Sequence, residues 1–251
     1  MFVGRRFVRH PTLPEAPEPF VMVRNTAMWA KESVGVLEGA RLLGWSPWLA
    51  RAPRGQGQLV VLVPGFQSSE SVMHPLMRYL RFLGYDARHW GRGWNRGKVQ
   101  DDVLGMLPVI ERWTAEHGAP AALVGWSLGG VISREIAREV PHCVQTIVTY
   151  GTPVVGGPTW TSAAGIYGEA VCARQAARSR QRELDRPLQQ PITAIFTRAD
   201  HIVSWPACID RISPNVTHVE VKSTHVGLGF DPDVWWTVAR ALQHHLPSET
   251  P

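Results

Sequence analysis

Residues 121–130 read Ala-Ala-Leu-Val-Gly-Trp-Ser-Leu-Gly-Gly, and this stretch decides the fold. The apolar run Ala121 to Val124, bounded by glycine, predicts a buried strand, and Leu128 to Val140 predicts the helix after it. Gly125-Trp126-Ser127-Leu128-Gly129 then occupies the sharp turn between the two, with Ser127 at its tip. Such a turn lifts a serine hydroxyl clear of the sheet and aims the first helical amides at whatever the hydroxyl attacks. The two glycines remove β-carbons where strand and helix approach closely. The serine itself must take a strained backbone conformation. With 23 glycines among 251 residues, G-x-S-x-G arises by chance about 0.1 times. The alternative is a glycine-rich turn with an incidental serine, and context has to decide.

That context is a base, an acid to orient it, and oxyanion donors, in the chain order Ser, Asp/Glu, His. Pro191 to Thr197 predicts a strand, with Asp200 three residues past its end; Thr217 to Lys222 predicts another, with His225 three past. Loops at the carboxyl ends of parallel strands gather functional groups. His225 lies in the polar, turn-prone Ser223-Thr224-His225-Val226-Gly227, which favours a base over a buried structural histidine. Asp200 competes with Asp210, after a Trp-Pro-Ala-Cys segment that predicts a connecting helix, and with Asp231, placed before Pro232 as a helix N-cap. Strand-end placement favours Asp200, and His201 beside it reads as a loop residue. For the oxyanion, one amide comes from Leu128. The second comes from Pro64-Gly65-Phe66-Gln67, after the strand Leu59–Val63, with Phe66 the first candidate and Gln67 the second. An ordinary turn at Pro64-Gly65 would read the same way.

Val63-Pro64-Gly65-Phe66, Gly125-Trp126-Ser127-Leu128-Gly129-Gly130, Tyr150-Gly151-Thr152-Pro153 and the Asp200 and His225 loops together resemble the α/β-hydrolase superfamily, and within it compact bacterial lipases and esterases. The resemblance spans Leu59 to His245. It implies a single-domain α/β fold: about six strands in a mostly parallel sheet, helices on both faces, and a short cap or lid insertion. It implies Ser127 as nucleophile, His225 as base, Asp200 as its partner, and the Phe66 and Leu128 amides as oxyanion donors. The expected activity is carboxylic-ester hydrolysis through an acyl-enzyme, on a small-molecule ester or lipid-like substrate, with no metal and no organic cofactor. One departure stands out: many lipases of this kind carry His after the Gly-Thr-Pro, where this chain has Val154. The motifs are specific for the superfamily and poor for substrate. Thioester cleavage or acyl transfer would use the same triad, and a non-catalytic hydrolase-fold binding module is the remaining alternative.

Composition agrees with one soluble enzyme domain. With 44% apolar residues over 251 positions the chain can bury one large core. The expected division is an N-terminal arm and helix over 1–57, packing on a hydrolase domain over 58–251 with a lid at 152–190. No run approaches the roughly 18 apolar residues of a membrane span. Arg5-Arg6 is followed by Pro11, Pro14, Pro17 and Pro19, so no export signal is complete. Cys143, Cys172 and Cys208 are odd in number and lack metal-ligand spacing, so reduced thiols in the cytoplasm are the default. Net charge is +5 and only Lys31, Lys98 and Lys222 are lysine. The densest cluster, Arg174, Arg178, Arg180, Arg182 and Arg186, reads as a solvated helix face. Its sharper reading is attraction of anionic substrates or lipid headgroups, which keeps peripheral membrane contact in view. Nucleic-acid binding has no supporting motif. The residues do not fix the oligomeric state.

Along the chain, 1–24 reads as a proline-rich arm, Asn25 to Leu43 as a helix closed by Gly44, and 44–57 as a linker. That helix is expected to cover the sheet edge left by the missing antiparallel hairpin of larger hydrolases. The helix Val99 to Gly118 is expected to bend at Pro108. Trp94, Trp160 and Trp205, with Gln67, are candidates for the apolar wall of an acyl-binding site. Trp126 is expected to pack beneath the turn.

Overall fold

In the computed structural model, which describes residues 6–8, 32 and 38–243, the apolar runs become strands covered on both sides. β2 (Leu59–Val63), β6 (Ala121–Trp126) and β8 (Ile192–Phe196) are buried at every position. Continuous burial marks parallel strands between two helical layers. Successive side chains divide between the layers, as the pleat requires. Val60, Leu62, Ala122 and Val124 join one core, while Leu59, Val61, Ala121 and Leu123 join the other.

The main sheet has the order β1 (Arg6–Val8), β9 (Val216–Glu220), β8, β7 (Val144–Tyr150), β6, β2, β4 (Asp86–His89). The six strands from β9 to β4 are mutually parallel, as expected. β1 is an addition that the arm's sequence did not predict; it pairs antiparallel with β9, Phe7 opposite Val219. An exposed edge strand offers a row of unpaired backbone groups, and three residues are enough to take some of them. A small ribbon, β3 (Ser68–Ser69) with β5 (Trp94–Asn95), stands apart from the sheet.

One face is covered by α1 (Glu38–Leu49), α2 (His74–Phe82) and the closing helix α7 (Pro232–Gln243), the other by α3 (Val99–His117) and α4 (Leu128–Glu139). The segment 152–190 carries α5 (Ala164–Tyr167) and α6 (Glu169–Asp185). α3 runs on as one helix through Pro108. Asp231 caps α7 as expected, accepting from the Asp233 and Val234 amides.

The N-terminal helix departs from expectation. Apart from Glu32, residues 25–37 lie outside the described residues, so the predicted start at Asn25 does too. Gly44 does not close α1, which continues to Leu49 and packs on α7, with Trp48 stacked on Trp236 at 3.9 Å. It therefore covers a sheet face and not the β4 edge. Tertiary packing of Trp48 and Leu49 overrides the local stop signal. A β-carbon on Gly44 would meet nothing within 4 Å. Gly44→Ala is therefore expected to stabilise the protein by about 0.5–1 kcal/mol, read as a raised urea midpoint.

Candidate active site

The turn after β6 is strained at one residue. Ser127 has φ 52° and ψ −121°, a left-handed conformation that non-glycine residues rarely adopt. Its amide donates to the Tyr150 carbonyl at 2.9 Å, which fixes the turn to β7. The flanking glycines are steric necessities. A β-carbon on Gly125 would collide with the Gly130 backbone, and one on Gly129 with the Val63 carbonyl. Trp126 is buried beside the turn, stacked toward Tyr150, with its ring centre 6.1 Å from that of His225.

Asp200 and His225, 25 residues apart, meet where the chain leaves β8 and β9. His225 Nδ1 donates to Asp200 Oδ2 at 2.7 Å, and both side chains are buried. Asp200 Oδ1 accepts from the Ile202 and Val203 amides at 2.8 and 2.7 Å, so the carboxylate is aimed by its own loop. The Thr197 hydroxyl donates to the Ser223 carbonyl at 2.7 Å and ties the two loops together. Burial pulls the His225 pKa down, but the charge and hydrogen bond of Asp200, with the charge of Glu32 added, outweigh it and hold the pKa above the usual histidine value. The competing aspartates are committed elsewhere: Asp210 pairs with Arg134 at 2.7 Å, and Asp231 caps α7.

The loop after β2 sits against the same turn. An added β-carbon on Gly65 would lie 3.4 Å from the Ser127 β-carbon. Gln67 has φ 54°, and its amide donates to the Asn95 carbonyl at 2.8 Å. That bond removes Gln67 as the second oxyanion amide and leaves Phe66. Leu128 opens α4, so its amide has no carbonyl one turn back to bind.

Ser127, Leu128, His225, Phe66, Gln67 and Trp126 line one cavity of about 1680 Å³. Its wall continues over Val131, Ile202 and Val203, and over Ile166 and Tyr167 of α5. Asp200 stands behind His225 and does not reach the cavity surface. Three aromatic candidates fall outside the lining. Trp94 is half exposed on β5, Trp160 packs on the Phe196 and Ile209 cluster, and Trp205 stacks on Phe196 under Arg198. Side-chain direction, which loop membership does not reveal, sends them away. Of the arginine cluster, Arg178 and Arg182 line the cavity, and Arg182 is paired with Glu135 at 3.1 Å.

Three supporting residues gave no signal in the sequence. Asn95 is fully buried, and its side-chain amide donates to the Pro64 carbonyl at 2.8 Å, holding the loop that presents Phe66. Thr197 was visible only as a strand end. Glu32 lay in a segment read as an amphipathic helix. Among the described residues no group of three or more His, Cys, Asp or Glu side chains is arranged to hold a metal ion, and no helix is long and apolar enough to cross a membrane. Cys143, Cys172 and Cys208 are buried free thiols.

No family model and no curated protein matches the chain. Its fold is matched by solved structures. One comes from the metagenome-derived lipolytic enzymes LipS and LipT, at 16% identity and TM-score 0.58, over 77% of this chain and 95% of that one. Another is the mature Bacillus licheniformis lipase BlEst2, at 17% identity and TM-score 0.58, over 76% and 94%. A third is an acid deformylase from Pseudomonas putida, at 14% identity and TM-score 0.52, over 75% and 94%. All are similar in architecture, and their activities differ.

Proposed function

The chain has the α/β-hydrolase fold, and from that premise we propose that it is a serine hydrolase of carboxylic esters, acting through an acyl-enzyme on Ser127. The observation that carries this reading is the His225–Asp200 bond at 2.7 Å, in a pair whose imidazole faces the same cavity as the strained Ser127. His225 Nε2 removes the proton from the Ser127 hydroxyl as its oxygen bonds to the ester carbonyl carbon. Asp200 keeps the other ring nitrogen protonated and stabilises the imidazolium. The carbonyl oxygen, now an anion, is received by the Phe66 and Leu128 amides, each worth about 3 kcal/mol of barrier. Collapse expels the alcohol, which takes the proton from His225. A water then gives its proton to His225 and attacks the acyl-enzyme, and the acid departs with Ser127 reprotonated.

The segment 152–190 is the proposed lid, since α5 and α6 supply one wall of the cavity. The apolar share of that wall suits a small ester or lipid-like acyl group. Buried free thiols suit the cytoplasm as the place of action. Lys98 and Arg178 on the wall support a second reading, cleavage or transfer from an anionic thioester. Comparing acyl-CoA with neutral esters at low and high salt separates the two, because screening penalises the anionic donor more.

The test is covalent labelling by a fluorophosphonate, followed by peptide mapping. A single adduct on Ser127 is expected, with a rate that falls as pH is lowered through the His225 pKa. Since that pKa is raised, the acid limb should sit above the pH where an ordinary histidine titrates. An unlabelled protein would favour the binding-module alternative.

A further inference from the structure

Two loops carry the Asp200–His225 pair, and a third, distant segment reaches both. Glu32 is 1% exposed, 194 residues before Val226 in the chain. Its Oε1 accepts from the His201 amide at 3.1 Å, next to Asp200, and its Oε2 accepts from the Val226 amide at 2.9 Å, next to His225. Among the described residues no cation pairs with it. A buried carboxylate without a cation is costly, and one that spends both oxygens on two loop amides is doing so at these loops and nowhere else.

We propose that Glu32 is a positioning residue of the hydrolytic site: its carboxylate clamps the acid loop to the base loop and adds a second negative charge beside His225. The proposal rests on the reading of Ser127, Asp200 and His225 given above. Two physical effects follow from one side chain. The clamp limits drift of the imidazole relative to Ser127, where a misplacement of about 1 Å costs on the order of 100-fold in rate. The charge favours the imidazolium that forms as Ser127 is deprotonated, in a site where little water screens it. The charged and titratable groups around His225 are Asp200 on the β8 loop, Glu32, and the His201 ring beside them. The Cys208 thiol lies against Asp200, and Lys98, Asp101, Glu135, Arg178 and Arg182 stand around the cavity. Asp200 and Glu32 are the two that act on His225 to raise its pKa, and Asp200 is the larger.

The sign of the expected change is set by the charge. Glu32→Gln keeps the shape but loses the charge and turns an amide N–H toward one of the two donors. The His225 pKa then falls, so the acid limb of the pH profile moves to lower pH. The plateau falls with it, by about tenfold, because both the imidazolium and its placement are less well supported. Glu32→Asp keeps the charge on a shorter stem, so the limb should stay near that of the wild type while the plateau drops.

The experiment is the pH dependence of fluorophosphonate labelling for the wild type and both variants, with urea unfolding to establish that each is folded. A displaced limb and lowered plateau in Glu32→Gln, with the limb restored in Glu32→Asp, is the expected result. A lowered plateau with an unmoved limb in folded Glu32→Gln would overturn the electrostatic role, and unchanged profiles would overturn the clamp. If Glu32→Gln does not fold, Glu32→Asp decides: an unchanged plateau overturns the proposal and a lowered one sustains it. Failure of the wild type itself to label would refute the underlying hydrolase reading instead, so the two failures are distinct.

Discussion

Ser127→Ala is expected to lower p-nitrophenyl ester turnover by at least about 10⁴-fold while leaving the fold intact. Without the hydroxyl there is no acyl-enzyme, and only the oxyanion amides and the binding cavity remain to assist water. The fold should not notice the change. The Ser127 side chain caps nothing in α4, and alanine bears the same backbone strain at φ 52° that serine does. A urea midpoint within about 0.5 kcal/mol of the wild type is the matching stability result. Turnover within a few-fold of the wild type, in protein free of contaminating esterase, would remove Ser127 from the role.

Arg134→Met is expected to cost about 3–5 kcal/mol of stability. Arg134 is 2% exposed on α4, the helix that begins at Ser127. One of its nitrogens binds Glu183 of α6 at 3.0 Å and Asp210 at 2.7 Å, the second of these beyond β8. The guanidinium thus joins the helix behind the serine to the proposed lid and to the loop after β8. Burial alone would raise the Asp210 pKa, but the charge of Arg134 and hydrogen bonds from Ser213 and Ile212 bring it down to about 2. A lowered carboxylate pKa contributes stability that is fully present above its unfolded value near 3.8 and is lost as pH falls through about 2. In Arg134→Met the two carboxylates lose that cation and the pKa of Asp210 rises. The loss of stability should therefore be largest at neutral pH and shrink on acidification, where the unpaired Asp210 becomes neutral. Urea unfolding at pH 7 and pH 3 measures this. Equal losses at both pH values would show that Arg134 acts by packing alone.

What could be read from the chain alone was whatever local pattern encodes. Continuous apolar runs bounded by glycine announced β2, β6 and β8, and spacing past strand ends singled out Asp200 and His225. The turn at Ser127 was legible because only glycine fits where a β-carbon would strike backbone, so Gly125 and Gly129 are visible as letters. The choice between the Phe66 and Gln67 amides was not, because it depends on a hydrogen bond to Asn95, 28 residues further along. The directions of Trp94, Trp160 and Trp205 were equally hidden, since a loop's position in sequence does not say which way its rings point. Gly44 misled because a helix stop is a weak local preference that packing against α7 outweighs. Glu32 and Arg134 were invisible for the same reason as Asn95: their roles consist entirely of partners far away in the chain. Local sequence dictates backbone shape within a few residues, whereas the pairing of buried charges and the aim of side chains are settled only when remote segments are packed together and lose their water.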